Sequence, residues 1–505
     1  MSVIVLARIA LETLSPLAIY SGSRELLSNN ALARDWNGNP YLPATAVAGV
    51  WRSAIGDFNL TSINPLKSTS WFGRKGAGRK ETDRLASRVT VYDGLLLDSH
   101  SRLPGDEREG ELRILCEKED VIYRSLCTSE DRRYERPGCR INAKKTNHNG
   151  SLFKSKTLPK GVRFAFDVKF ELDSDNDVSE CRRLLSFISS DSFTMGSKTA
   201  NGLGTFKVIG MTIESLDLEK FSSDPAALAE KIRKFVTSRE VGIGNLADCS
   251  CVQNSDEKVW DFVLESQGSM RIGTGRTSEK LTVSGSDGRA IGSMKCDDGV
   301  NVKNRNIQQC FTDSRFDWNG KEFVGQINEF IIPGSTIKGI LAHRTMYHFL
   351  RRRNWFADKA IKEGSEVRPQ ELVEKILNNE TPPIELEPYY SLFGRNDPKD
   401  HSNMLSGALK VSDAVVNCAG VVNRMHNKID RFTGAVMPSA LFGQARLVDP
   451  NFKITIRIDP SRRCQLKDDC EIMQAFEDTI YDLKHGFLSI CAGSGRDTAV
   501  FFERV

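Results

Sequence analysis

The feature that most constrains this chain is an internal duplication. The tetrapeptide at 35–38, Asp-Trp-Asn-Gly, recurs at 317–320. Each copy precedes a similar segment, "YLPATAVAGVWR" at 41–52 and "IIPGSTIKGILAHR" at 331–344. In both segments an apolar pair, a Pro-small turn and a hydroxyl residue lead into apolar residues at helical spacing. Both segments therefore predict a strand, a tight turn and a helix whose first turn the hydroxyl residue caps.

The match continues downstream in the same order. "WFG" at 71–73 and "LFG" at 392–394 each precede an alternating segment with an aspartate near its end, "SRVTVYDG" and "SGALKVSDA". A loop, an apolar-Phe pair and a closing strand follow in each half. Four elements in one order indicate a tandem duplication with an offset of roughly 290 residues. We expect the 505 residues to form repeat 1 at 1–215, a connector at 216–258 and repeat 2 at 259–505.

Hydropathy argues against a membrane protein. The N-terminal segment "MSVIVLARIALETLSPLAIY" alternates and contains Arg8 and Glu12, which predicts a first β-strand rather than a signal peptide. No apolar run reaches the roughly 18 to 20 residues that a membrane span requires. We therefore expect a cytoplasmic protein.

The twelve cysteines include no Cys-x-x-Cys pair. This pattern favours buried or free thiols in a reducing compartment. A zinc site built from Cys116, Cys127 and Cys139 with His100 or His148 remains an alternative, although its spacing fits no usual framework.

The charge distribution is more informative than the net charge of +4. Positive side chains cluster at 74–80, 130–145, 154–161 and 343–353, in segments that are predicted to be loops or helix ends. Any one cluster alone is explained by a solvated face. Together, and mixed with Gly, Asn and Tyr, the clusters predict a surface that follows a phosphate backbone.

A glycine-rich segment, "MGSKTANGLGTFKVI", suits the same function. Gly196, Gly202 and Gly204 would let backbone N–H groups approach a phosphate, and Lys198 would supply charge. The segment lacks the spacing of a nucleotide-hydrolysing P-loop, and a simple hairpin turn is the alternative. Repeat 2 carries Gly493, Gly495 and Arg496 at the corresponding place.

These segments resemble the signatures of the RAMP superfamily, and more closely those of the backbone subunits of type III CRISPR interference complexes. A chain with two such units resembles the fused backbone proteins of subtype III-D. The resemblance implies an α+β fold in which each repeat is an RRM-like, ferredoxin-like βαββαβ domain with a thumb-like insertion. It also implies binding of guide RNA (crRNA), pairing of the guide with single-stranded target RNA, and assembly with a large polymerase-like subunit, other backbone subunits and a small subunit.

In that family, target RNA is cut by attack of a 2′-OH on the adjacent phosphate, with Mg²⁺ or another divalent metal and an acidic residue in the loop before the helix. Repeat 1 has Asn29 at the expected position, and Asn142 where repeat 2 has Asp430, so we expect repeat 1 to bind without cutting. In repeat 2, Asp313 is the first choice for the catalytic acid and metal ligand. Asp317, which matches Asp35 and is expected to support a turn, is the next candidate.

Two further candidates for catalysis come from outside this loop. Asp298, beside Asp297 in the segment 284–310, lies in an insertion whose Ser, Gly and Asp content also fits disorder. His426 would protonate a leaving 5′-oxygen or stack on a base, or it is an ordinary surface histidine. Asp430 would orient its loop, join the site, or act as an ordinary turn residue.

The predicted RNA contacts lie at the two helix starts and in the glycine-rich loops. A helix N-terminus offers free N–H groups to a phosphate. The predicted contacts are Thr45, Arg52, Gly196, Lys198, Gly202, Gly204, Gly334, Ser335, Lys338, Arg344, Gly493, Gly495 and Arg496.

Three functions therefore remain open at the level of sequence. The first is a backbone subunit whose repeat 2 cuts target RNA. The second is a scaffold that only coats the guide. The third is a guide-processing endoribonuclease, which the single histidine within the first hundred residues disfavours.

Overall fold

The computed structural model describes most of both repeats. The residues that it describes are 3–22, 30–59, 68–73, 86–105, 120–126, 134–139, 153–190, 193–222, 224–244, 258–266, 268–278, 280–284, 290–295, 307–354, 386–395, 405–438, 442–459, 470–490 and 499–504. None of the described helices combines the length and the hydropathy that a membrane span requires.

Repeat 1 is an antiparallel sheet with helices packed on it. Its elements are β1 (Val3–Thr13), α1 (Ala44–Asn59), α2 (Ser68–Phe72), β2 (Val89–Val91), β3 (Leu95–Leu96), α3 (Val121–Leu126), β4 (Glu135–Gly138), β5 (Phe153–Lys156), β6 (Arg163–Leu172), α4 (Asp175–Phe187) and β7 (Phe206–Asp217). The main sheet has the order β2-β6-β1-β7, and β3 also pairs with β6. With α1 and α4 between strands, this is the βαββαβ order of a ferredoxin-like fold.

The predicted first strand, β1, is central to this sheet. It pairs with β6 on one side and with β7 on the other. Its two charges are paired: Arg8 lies 2.7 Å from Asp167, and Glu12 lies 2.8 Å from Arg163. A buried strand tolerates these charges because each has an opposite charge at hydrogen-bond distance.

The helices of repeat 1 are held to the sheet by large aromatic side chains. The indole of Trp51 on α1 donates to the Leu184 carbonyl on α4 over 2.9 Å. The same ring packs edge-on against Phe170 of β6, with 5.9 Å between centroids. Trp51 is fully buried, so its indole N–H needs this internal acceptor.

A helix occupies the connector. This helix, α5 (Pro225–Thr237), begins at Asp224, whose side chain accepts from the Ala227 N–H, and Pro225 fills its first turn. After it the chain returns to repeat 1, where Ile243 bridges to Gly210 of β7. Residues 239–244 therefore pack with repeat 1 rather than extending freely towards repeat 2.

Repeat 2 has the same core order with longer additions. Its elements are β8 (Val259–Glu265), β9 (Ser269–Met270), β10 (Gly273–Ser278), β11 (Lys280–Ser284), β12 (Ala290–Lys295), β13 (Ile307–Cys310), β14 (Thr312–Asn319), β15 (Glu322–Ile332), α6 (Gly334–Arg352), α7 (Glu387–Phe393), β16 (Gly394–Arg395), β17 (Leu405–Ser406), β18 (Leu409–Val411), β19 (Ala414–Asn417), β20 (Gly420–His426), β21 (Phe442–Val448), β22 (Asn451–Ile458), α8 (Glu471–Lys484), β23 (His485–Ile490) and β24 (Ala499–Glu503). The pairings β18-β22-β8-β24 repeat the order β2-β6-β1-β7.

The predicted α+β class and the ferredoxin-like order are thus confirmed for both repeats. The disorder considered for 284–310 is wrong for its described parts. There, β12 pairs with β11, and β13 pairs with β10 and β21.

The segment before α6 is a long β-hairpin, not the predicted loop. β14 and β15 pair from Thr312 opposite Phe330 to Asn319 opposite Glu322. In repeat 1 the equivalent segment is only a turn, closed by the bridge between Arg34 and Pro40. We call β14 and β15 together the inter-repeat hairpin, because it packs on repeat 1.

Phe316 anchors this hairpin in the other repeat. Its side chain is 2% exposed and belongs to the hydrophobic core of repeat 1. Its N–H donates to the Lys160 carbonyl over 2.8 Å. Gly161 has a φ of +85°, and a Cβ there would lie 2.3 Å from the Phe316 carbonyl oxygen, so glycine is needed for this close approach.

Trp318 adds a second contact between the repeats. Its indole donates to the Gly161 carbonyl over 2.7 Å, and the Arg163 guanidinium lies 4.0 Å from the ring centroid. A cation over an aromatic face is favourable, more so where water is excluded. The two repeats are therefore joined by buried contacts and not only by the connector.

The described cysteines Cys139, Cys181, Cys310, Cys418 and Cys470 are thiols that form no disulfide with one another, as predicted. His100, one of the residues considered as zinc ligands, contacts Glu322 at 2.6 Å. Cys116, Cys127 and His148 lie outside the described residues.

Candidate nucleic-acid interface

The duplicated helix starts share one capping device. The Gly334 N–H of α6 donates to the Asp413 carboxylate over 2.8 Å, and the Ala44 N–H of α1 donates to Asp93 over 2.7 Å. Each aspartate comes from the alternating segment that the sequence comparison aligned. The expected hydroxyl cap is wrong for α6, which has no side-chain cap from its own first turn. A carboxylate, that of Asp413, accepts from the first N–H of the helix instead.

Lys338 does not face solvent. Its side chain is 8% exposed, and its ammonium donates to the carbonyls of Leu409 over 2.8 Å and Ala200 over 3.5 Å. Ala200 belongs to the glycine-rich loop of repeat 1, so Lys338 joins the two repeats. The predicted phosphate contact is therefore not supported, because a phosphate would have to displace both carbonyls.

The other RNA contacts predicted at the helix starts are of two kinds: one side chain is bound to protein, and three are exposed. Arg344 donates to Asp482 of α8 over 2.6 Å and stacks on Tyr347, so its guanidinium serves the packing of α6 on α8. Thr45, Arg52 and Ser335 are exposed. These three remain consistent with the predicted RNA contacts.

The glycine-rich loop of repeat 1 packs on protein. A Cβ at Gly202 would lie 2.5 Å from the Val411 carbonyl oxygen of repeat 2, and one at Gly334 would lie 2.3 Å from the same atom. Gly196 and Gly204 have positive φ and approach backbone of repeat 1 itself. The glycines are therefore needed for close packing, which is a different reason from the predicted approach to phosphate.

Lys198 also serves internal packing. Its ammonium donates to the Ser155 hydroxyl and lies 4.5 Å from the centroid of the Phe153 ring. Burial lowers the pKa of Lys198, and the charge of Arg136 lowers it further. Gly493, Gly495 and Arg496, the counterparts predicted in repeat 2, lie outside the described residues.

Asp313, the predicted catalytic acid, is part of a buried ion pair. It lies on β14, where its carboxylate accepts from Arg136 Nε over 3.0 Å and also from Nη2. Nη2 of the same arginine lies 2.7 Å from Asp413. The three side chains are between 8% and 11% exposed. Burial acts to lower the pKa of Arg136, but Asp413 and Asp313 outweigh it, and the pKa is raised.

This arrangement does not fit a divalent cation at Asp313. The guanidinium already contacts both carboxylates, and a cation would have to replace it against charge repulsion. Among the residues that the structure describes, no group of three His, Cys, Asp or Glu side chains could hold a metal ion. The adjoining cleft of about 250 Å³ is lined by residues of both repeats; its acidic side chains come from repeat 2, and repeat 1 contributes Lys160.

The remaining catalytic candidates lie apart from this cluster. Asp317 is half-exposed and accepts from Arg315 over 3.2 Å, whereas Asp35 caps its own turn through the N–H groups of Asn37 and Asn39. The two matched aspartates therefore have different roles, and Asp317 does not support the turn as predicted. Asp297 and Asp298, like Asn29 and Asn142, lie outside the described residues.

His426 ends β20, at the base of a loop that we call the hairpin tip, residues 427–438. The imidazole stacks on Phe442 of β21, with 5.5 Å between centroids. Asp430 organises the hairpin tip: it accepts from the N–H groups of Phe432 over 3.0 Å and Thr433 over 2.8 Å. These backbone hydrogen bonds lower the pKa of Asp430, as expected for the turn role considered for it.

The hairpin tip presents an aromatic side chain that sequence reasoning missed. Phe432 is 99% exposed, and Lys428 and Arg431 beside it are also exposed. A signal was present in the sequence, because the Asp430-to-Gly434 segment predicts a turn, and turns run over the surface of a protein.

Fold and packing define the chain as a tandem of two ferredoxin-like α+β units. Residues 10–207 and 263–490 each match the RAMP superfamily. The matches cover most of the 505 residues, and the chain belongs to this superfamily. Membership points to a CRISPR-associated RNA-binding subunit. No curated protein matches the chain.

Proposed function

We propose that this chain is a backbone subunit of a type III CRISPR interference complex, of the fused kind found in subtype III-D, and that it coats the guide RNA. Two RAMP units in fixed contact suit a protein that covers a longer stretch of RNA than one unit does. Binding would be independent of sequence, because base pairing of guide and target reads the sequence.

The hairpin tip is the observation that carries the proposal. A fully exposed phenylalanine in a loop with two exposed cations has the chemistry of single-stranded RNA binding, since rings stack on bases and cations contact phosphates. Asp430, the one acid in this loop, is occupied by backbone N–H groups. Arg52, Thr45 and Ser335 at the exposed helix starts are proposed as further contacts.

Fluorescence anisotropy with a mixed-sequence single-stranded RNA tests the stacking contact. We expect Phe432→Ala to weaken binding by roughly tenfold, because stacking contributes about 1–3 kcal/mol per base. Val236→Ala on α5 is the matched control, since Val236 is 61% exposed and lies on the connector. Equal affinities of wild type and Phe432→Ala would remove the hairpin tip from the interface.

The salt dependence of binding tests the two cations separately. For Lys428→Gln with Arg431→Gln, the slope of log affinity against log salt should decrease by about 1.4, since each phosphate contact to single strands contributes about 0.7. Lys234→Gln with Arg233→Gln on α5 is the control. An unchanged slope would show that these cations do not contact phosphate.

Cleavage of target RNA by repeat 2 is a second proposal. It is supported by His426 at the base of the hairpin tip and by the half-exposed Asp317. In this reaction a base such as Asp317 would take the proton of the 2′-OH, the 2′-oxygen bonds to phosphorus, the bond to the 5′-oxygen breaks, and an acid such as His426 would give a proton to the leaving oxygen. No step is assigned to Mg²⁺, because Asp313 does not offer it a site.

The assembled complex with guide RNA, labelled complementary RNA and added Mg²⁺ tests this second proposal. The variants are Asp313→Ala, Asp317→Ala, Asp298→Ala and His426→Ala, with Arg136→Ala as the control for the ion pair. Loss of one product in Asp317→Ala or His426→Ala, with binding intact, would support cutting by repeat 2. If every product persists in all variants, the chain is a scaffold.

A further inference from the structure

Arg136 is one cation between two buried carboxylates of the other repeat. Its Nη2 contacts Oδ2 of Asp313 and lies 2.7 Å from Oδ2 of Asp413. Asp313 lies on β14, and Asp413 lies between β18 and β19. Both carboxylates therefore belong to repeat 2, whereas the cation that holds them together comes from β4 of repeat 1.

The two Oδ2 atoms are close enough to bind one ion. Because both contact the same nitrogen at hydrogen-bond distance, they lie within about 6 Å of each other. Oxygen ligands of Mg²⁺ lie about 2 Å from the ion, and such an ion keeps several of its own waters. A hydrated ion would therefore reach both oxygens, directly or through one water.

The Asp413 carboxylate is hydrogen-bonded through one oxygen. Its Oδ1 accepts the first N–H of α6 over 2.8 Å. Its Oδ2 is buried, and no N–H of the described residues points at it in hydrogen-bond geometry. Arg136 therefore holds this oxygen by charge. A metal ion would do the same, because its attraction does not depend on the direction of an N–H bond.

The charge balance around Asp313 favours a divalent ion once the arginine is removed. Glu329, which lies opposite Asp313 in the inter-repeat hairpin, has cations of its own, Lys160 at 3.8 Å and Arg315 at 3.4 Å. Without Arg136, the two aspartates would carry two buried negative charges with no counter-ion, and one divalent cation matches that charge.

The cleft beside the two aspartates can hold the waters that such an ion keeps. Asp313, Asp413 and Glu329 all line this cleft, whose volume is about 250 Å³. That space accommodates several water molecules. An ion at the aspartates would therefore not have to lose its whole hydration shell, which Mg²⁺ resists.

We propose that Asp313 and Asp413 form a two-carboxylate cation site of repeat 2, and that the Arg136 guanidinium occupies it as a built-in counter-ion in place of a divalent metal. The joint between the repeats then needs no metal, because its cation is part of the chain. The same guanidinium closes the site to divalent ions for as long as β4 stays against repeat 2.

Titration of the full chain with Mn²⁺, without RNA, tests this closure independently of the proposed RNA binding. Mn²⁺ prefers the same oxygen ligands as Mg²⁺, and electron paramagnetic resonance distinguishes bound from free Mn²⁺. Arg136→Ala should bind one Mn²⁺ more per chain than the wild type. Adding Asp313→Asn to Arg136→Ala should weaken this binding by at least about tenfold, since one of the two charged ligands is lost.

Urea unfolding provides a second measurement on the same variants. Mn²⁺ should raise the urea midpoint of Arg136→Ala, because it binds the folded state, whereas neither Mn²⁺ nor EDTA should shift that of the wild type. Lys169→Ala is the control, since it removes the cation of a more exposed pair with Glu171 and should gain no Mn²⁺ site.

Circular dichroism establishes that each variant is folded, and Arg136→Gln, which keeps an amide donor without the charge, replaces Arg136→Ala if that variant is not. Three results would each overturn the proposal: no additional Mn²⁺ in the arginine variant, additional binding that survives Asp313→Asn, or a wild type that binds Mn²⁺ as tightly as the variant does.

Discussion

In repeat 1 the Asp-Trp-Asn-Gly segment closes a short turn, whereas in repeat 2 it lies at the end of a long hairpin that enters the other repeat. Trp36 is left exposed, and Trp318 is packed. The aspartate that caps the helix is common to both repeats, but Asp413 also binds an arginine from repeat 1. The duplication therefore kept what each unit needs to fold and changed what joins the units.

The largest effect is expected where the hairpin enters the core of repeat 1. Phe316→Ala should lower the free energy of unfolding by about 3–5 kcal/mol, since it leaves a cavity around a buried aromatic ring. Trp36→Ala, the matched exposed position, should change it by less than about 0.5 kcal/mol. Urea titration followed by circular dichroism measures both. Similar effects of the two variants would contradict the comparison.

Arg136→Ala should have the next largest effect, about 3 kcal/mol, because it leaves two buried carboxylates without a counter-charge. Lys169→Ala removes a more exposed pair with Glu171 and should cost about 0.5 kcal/mol or less. Urea unfolding of both variants tests the difference. If Arg136→Ala is as mild as Lys169→Ala, the ion pair between the repeats is not important for stability.

The helices that precede the last core strand of each repeat, α4 and α8, differ in how their first turns are capped, and for α4 the contribution to stability depends on pH. In repeat 1, α4 begins with a capping box of Ser174 and Asp177, and the hydrogen bond from Arg88 chiefly holds the pKa of Asp177 at about 2. A lowered pKa stabilises the fold above the unfolded value, and this stability is lost as pH falls towards 2. Asp177→Asn should cost about 1 kcal/mol at neutral pH.

As pH falls from about 4 to below about 2, the stabilities of the wild type and Asp177→Asn should converge, since Asp177 becomes protonated around pH 2. Thermal unfolding from about pH 7 to about pH 1 measures this convergence. A constant difference across that range would show that the charge of Asp177 contributes nothing.

The smallest effect is expected at α8, the counterpart of α4. The N-cap residue of α8 is Cys470, whose side chain makes no capping hydrogen bond. Cys470→Ser should raise the free energy of unfolding by about 0.5–1 kcal/mol, because a hydroxyl can accept from a free N–H of the first turn. Cys418→Ser, at a buried position outside any helix start, should not stabilise. Stabilisation by both would exclude capping as the cause.

Sequence alone predicted the fold well because the relevant signals are local. A Pro-small turn before apolar residues at helical spacing defines α1 and α6, and alternation defines β1 and β22. The duplication doubled each signal. The long hairpin was missed because β14 and β15 contain polar residues that are typical of turns. The surface on which the hairpin packs belongs to repeat 1, which is distant in the sequence.

The site was predicted less well because charge partners lie far apart in the chain. Asp313 and Arg136 are 177 residues apart, and no local pattern connects them. The sequence around Lys338 and Arg344 predicts a helix, but it does not show whether these side chains face solvent or pack on another element. Phe432, by contrast, follows from a turn signature that was present in the sequence.

The placement of Phe316 has a consequence for synthesis. Repeat 1 ends its sheet at Asp217, but one member of its core comes from residue 316. At ribosomal rates of about 5–20 residues per second, the intervening hundred or so residues take about 5–20 s to emerge. During that interval the core of the first repeat lacks the side chain that packs next to Gly161, so repeat 1 completes its core only after the inter-repeat hairpin has been synthesised.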